Sequence, residues 1–87
     1  MNRVAEIVEY HLTREKIIYR INEGEDLFIV RSIRSKNESY MVIRENDKWS
    51  CDCHSFKYHS GTNELGQCKH ILSIIFLLQE GVEILLA

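Results

Sequence analysis

The residues best equipped for chemistry fall in two short groups. Cys51-Asp52-Cys53 is answered by Cys68-Lys69-His70, and the chain has no other cysteine. Thiolates and imidazole are donors that zinc takes, and three sulfurs with one nitrogen fill the four positions of a closed structural site. A catalytic zinc keeps one position open, so Cys51, Cys53, Cys68 and His70 point to structure rather than hydrolysis. An odd number of cysteines argues against a disulfide framework. A bridge between Cys51 and Cys53 would also be badly strained at that spacing. The competing reading is three buried small hydrophobes; the histidine at ligand spacing weighs against it. His54 and His59 could substitute as ligands or cover the site, but read best as ordinary loop residues. His11 reads as a helix-face residue turned partly to solvent.

The spacing constrains the elements that carry these ligands. Residues i and i+2 of a helix point about 200° apart, so Cys68 must precede a helix and His70 must sit in its first turn. That helix is predicted over residues 69–80, with Gly81 as its C′ residue. Its positive dipole end then faces the thiolates. Side chains alternate along a strand, so a strand over 48–53 places Trp49, Cys51 and Cys53 on one face. Residues 54–67 read as a loop, with Phe56 and Tyr58 tucked over the site.

Upstream, residues 2–12 read as an amphipathic helix capped by Asn2, with Val4, Ile7 and Val8 on one face. Residues 14–22 fit a helix through Ile17, Ile18 and Ile21, and a strand equally well through Ile17, Tyr19 and Ile21. Helix is preferred. Residues 27–34 and 40–45 read as strands joined by a polar hairpin loop. The expected fold class is α+β: an N-terminal helical segment, a three-stranded antiparallel meander and a C-terminal helix, tied by one structural zinc.

The pattern C-x-C, fourteen residues, C-x-H resembles the SWIM zinc finger. Trp49, Cys51, Cys53 and Phe56 give W-x-C-x-C-x-x-F, and Cys68, Lys69, His70 and Ile71 give C-K-H-I before an apolar helix. The resemblance covers roughly residues 27–80. It implies a ββα module around one zinc, and association with DNA or with other proteins. On this reading residues 1–26 are a helical extension and 81–87 an apolar tail of a single 87-residue domain.

Composition narrows the partners. The net charge is −2, so the chain as a whole is not a strongly basic nucleic-acid binder. The charge is uneven: residues 27–60 carry six basic and four acidic side chains, whereas both flanks are acidic. Arg31, Arg34, Lys36, Arg44, Lys48, Lys57 and Lys69 could track a phosphate backbone, with Tyr40, Phe56 and Tyr58 stacking on bases. A solvated charged surface is the alternative. The last helix is apolar nearly all round, with Ile74, Ile75, Phe76 and Leu78 candidates for a docking or homodimer interface. Burial under the N-terminal helix is the alternative there. No signal peptide or membrane-length apolar run is visible, and the free thiols suit a reducing, intracellular setting: cytoplasmic, or nuclear in a eukaryote.

The sequence thus predicts a stand-alone zinc module binding DNA in recombination, repair or transcription, with protein docking as the alternative. No acid/base or nucleophile set survives once the ligands are assigned, so no enzyme, small-molecule substrate or membrane partner is expected.

Overall fold

A computed structural model describes residues 3–22, 24, 26–35, 37–53 and 67–87. The elements run α1 (Arg3–Thr13), β1 (Ile18–Arg20), β2 (Leu27–Arg31), β3 (Ser39–Glu45), β4 (Lys48–Cys51) and α2 (Lys69–Gln79). The class is α+β, with two helices and one antiparallel sheet in the order β1-β2-β3-β4.

The sheet has four strands rather than the three expected, because residues 14–22 supply a strand and not a helix. An isolated helix of that length would be marginal in water. A sheet edge instead gives its backbone groups partners, which buried groups require. Ile18, Tyr19 and Arg20 pair with Val30, Ile29 and Phe28. On the opposite edge of β1 the C-terminal segment closes in: Arg20 N–H donates to the Leu85 carbonyl at 2.8 Å, and Ala87 N–H to the Arg20 carbonyl at 2.8 Å. The apolar stretch after α2 therefore covers an edge, and Ile84 is buried.

Strand alternation decides what the sheet buries. Ile18, Phe28, Val30 and Val42 share one face through the strand register and are fully buried. Leu27, Ile29, Met41 and Ile43 lie on the other face, half-buried or exposed. α2 packs against β3, β4 and α1. Ile71, Ile74 and Leu77 of α2 have no exposed surface, and Ile7 and Val8 of α1 join them in the core.

Local signals account for the ends of these elements. Asn46 and Asp47, both at positive φ, make the two-residue β3–β4 turn, as the primed hairpin turns require. α2 closes with a Schellman motif: Gly81 N–H donates to the Leu78 carbonyl and Val82 N–H to the Leu77 carbonyl, with Gly81 at φ 72°. Asn2, assigned above as the cap of α1, lies outside the described residues. Among the described residues no helix is long and apolar enough to cross a membrane.

Candidate metal centre

Two elements, β4 and α2, with the residues at their ends, bring the four candidate ligands together. β4 carries Cys51 at its last position, opposite Val42 of β3. Two residues on, past the end of the ladder, comes Cys53. Asp52 anchors the turn between them: its N–H donates to the Met41 carbonyl at 3.2 Å, and its Oδ1 accepts from the Met41 N–H at 2.9 Å. Cys68 stands at the N-cap of α2 in extended conformation, with φ −87° and ψ 176°. His70 follows in the first helical turn, the arrangement that its spacing from Cys68 demanded.

All four residues are buried, and their ligand atoms lie within 4.8 Å of one another. His70 Nδ1 is 3.8 Å from Sγ of Cys51 and 3.8 Å from Sγ of Cys68. A tetrahedron built on Zn–S of about 2.3 Å and Zn–N of about 2.0 Å has edges of roughly 3.5–3.8 Å. The cluster is thus close to the size that zinc would impose, with Nδ1 as the nitrogen donor. Three thiolates cannot crowd together in an apolar site without a cation. Their proton chemistry reflects this: the hydrogen bond to Cys68 and then burial push the Cys51 thiol up, while the hydrogen bond from Cys51 and the contact with His70 hold Cys68 down at about 4 despite burial. The donor set and the spacing fit a closed tetrahedral site that could hold a metal ion.

One neighbour of this site was assigned a different task above. Tyr40 was placed among base-stacking aromatics, but its ring stacks on the His70 imidazole, with centroids 4.6 Å apart. The contact fixes the ring plane of His70, a candidate ligand. The clue available in the sequence is register: Tyr40 lies two residues before Val42, the partner of Cys51, and so on the same face of β3. Phe56, Tyr58, His54 and His59, together with the basic residues Lys36 and Lys57, lie outside the described residues.

His11 also differs from its assignment. It is only 3% exposed, and Nδ1 accepts from the backbone N–H groups of Ile17 at 3.0 Å and Ile18 at 3.1 Å. Burial first, and the Lys16 charge second, lower its pKa from the usual histidine value. It is a neutral buried acceptor that ties the exit of α1 to the start of β1. Its position one turn after Ile7 and Val8, on the same face, was the signal for burial.

The remaining basic residues divide into two groups. Arg31, Arg34 and Lys69 line one cavity beside the metal cluster, joined there by Arg3 of α1. Arg3 was not singled out above, because nothing in the linear order links the start of α1 to the residues after β2. Arg44 is engaged elsewhere: its Nε donates to Asp26 at 2.8 Å, and its guanidinium lies over Trp49, 5.4 Å from the ring centroid. Lys48 is exposed on the β3–β4 hairpin. Of the four apolar residues assigned to an interface, Ile74 is fully buried and offers no surface. The face of α2 that carries it meets the core, as the helical period with Ile71 and Leu77 requires. Ile75 and Leu78 are half-buried, and Phe76 is 44% exposed.

No protein-family model matches the chain, and neither a curated protein nor a solved structure does.

Proposed function

We propose that this chain is a SWIM-like zinc module that binds nucleic acid. Zinc supplies no chemistry in this reading beyond holding the end of β4 against the start of α2. The observation that carries it is the gathering of Arg31, Arg34 and Lys69 on one cavity beside the Cys51/Cys53/Cys68/His70 cluster. Lys69 is far in sequence from Arg31 and Arg34, and a metal that joins β4 to α2 would keep it beside them. Positive side chains held together in this way neutralise phosphates and release their counterions, so binding falls with salt. Fluorescence anisotropy with labelled single- and double-stranded oligonucleotides, on the zinc-loaded protein at two salt concentrations, tests the reading. Binding that weakens steeply with salt is expected; no binding at low salt would end it.

A second reading is protein docking, favoured by a different observation. Leu12 and Phe76, each 44% exposed, flank an apolar groove between α1 and α2 whose walls include Val4 and Val8. An adaptor or a self-associating module would bury these residues. Sedimentation at several protein concentrations distinguishes self-association from a monomer.

A further inference from the structure

The cavity beside the metal cluster has more structure than a basic patch. Its volume is about 80 Å³, room for several waters, since one needs roughly 10–15 Å³ of such space. Arg3, Arg31, Arg34 and Lys69 reach it from α1, from the end of β2 and the segment after it, and from the first turn of α2. One carboxylate, Glu6, shares the lining, so the cationic side chains outnumber the acidic four to one. Among the described residues Arg3, Arg34 and Lys69 form no ion pair, and Arg31 makes one long contact of 3.8 Å with the exposed Glu15. Surface pairs of that kind contribute little.

The floor and the polar groups fit the same ligand. Ile7 and Val30 line the cavity and are buried, which lowers the local dielectric and strengthens the field of the surrounding cations. Ser32 Oγ accepts from the Ser35 N–H at 3.1 Å, which leaves its hydroxyl proton to donate. Guanidinium forks that approach from different elements suit a tetrahedral oxyanion, whose oxygens point several ways, better than a planar carboxylate, which one fork satisfies. His70 belongs both to the metal cluster and to this cavity's wall.

We propose that this cavity is a binding site for a single phosphoryl group of a nucleic-acid strand, held by Arg3, Arg34 and Lys69 with Ser32. It rests on the nucleic-acid reading above and adds a residue, Arg3, and a defined seat to it. The competing role for these cations is to balance the net negative charge that three thiolates and one Zn²⁺ carry together.

The test is a chemical-shift titration of the full zinc-loaded chain with inorganic phosphate at constant ionic strength, with chloride as control. Saturable shifts at Arg3, Ser32, Arg34 and Lys69, with Lys48 unmoved, are expected. Arg3→Ala and Arg34→Ala should each weaken phosphate by about tenfold, as loss of a charge-assisted hydrogen bond does, with zinc content unchanged. Oligonucleotides with a 5′-phosphate or a 5′-hydroxyl then identify the source. Preference for the phosphorylated end marks a terminal phosphate, and equal binding an internal phosphodiester; in both cases the same residues shift and phosphate competes. Absence of saturable phosphate shifts would overturn the site and leave the cations to the metal centre. Oligonucleotide binding unchanged when Arg3→Ala and Arg34→Ala are combined in one chain would overturn the site but spare the nucleic-acid reading. Phosphate seated in the cavity with no oligonucleotide bound would overturn the strand as its source, and that reading with it.

Discussion

His11 illustrates how one buried side chain can hold two elements together. The two N–H groups that it satisfies belong to consecutive residues at the entry to β1. His11→Ala should cost about 2–6 kcal/mol at pH 7, since each of the two orphaned buried amides costs roughly 1–3 kcal/mol. His11→Asn, which keeps an acceptor near the same place, should recover part of that. The pH dependence has a definite sign. The folded pKa lies below the unfolded value of about 6.5, so the unfolded chain takes up the proton first as pH falls. The contribution is complete above about pH 6.5 and is lost as pH falls towards the folded pKa. Urea unfolding of wild type and His11→Asn across pH 5–8 measures it. The gap between the two should narrow on acidification, and protonation of the cysteine cluster, common to both proteins, cancels in the difference. A gap independent of pH would contradict the buried acceptor.

At the scale of elements, Gly81 is the point where α2 must stop. Its φ of 72° belongs to glycine, yet a Cβ there would meet no atom within 4 Å. Gly81→Ala therefore carries backbone strain alone, about 1–2 kcal/mol, and thermal unfolding should show a drop of that order. Gly81→Asn should cost less, because asparagine tolerates this conformation. The termini of α2 were readable because ligand spacing and a C-terminal glycine are local signals. So were β2, β3 and β4, whose turn residues and alternation agree, although the ladder of β2 ends at Arg31 and that of β4 at Cys51, each before the strand predicted. β1 was not readable in this way. Ile17, Ile18, Ile21 and Tyr19 satisfy both periods, and the choice is made by β2 on one edge and by residues 85–87 on the other. Of these two partners, residues 85–87 are distant in sequence. The same reason hid Arg3, which reaches the cavity only after α1 packs against α2.

For the whole molecule, the core is a single layer between the sheet and two helices, and the metal cluster closes one end of it. Ile74 belongs to that core rather than to an outer surface. Ile74→Ala should destabilise the protein by about 2–5 kcal/mol and leave its association state unaltered, which denaturant unfolding and sedimentation together would show. In the sequence, apolar residues on every side of α2 could mean either burial or a partner. The fold resolves most of this as burial, because α1 covers one flank and the sheet another, and Phe76 is left outside.

A chain of 87 residues buries a modest core, and structural zinc sites bind with roughly 10–16 kcal/mol, which exceeds the stability expected of such a domain. The most direct measurement is metal analysis of the purified protein, combined with circular dichroism during chelation. One zinc per chain is predicted, with cooperative loss of helix and sheet as the metal is withdrawn and recovery when zinc returns. Cys51→Ser and His70→Ala should lose the metal and the fold together. A wild-type chain that is folded and free of metal would contradict the account at its centre.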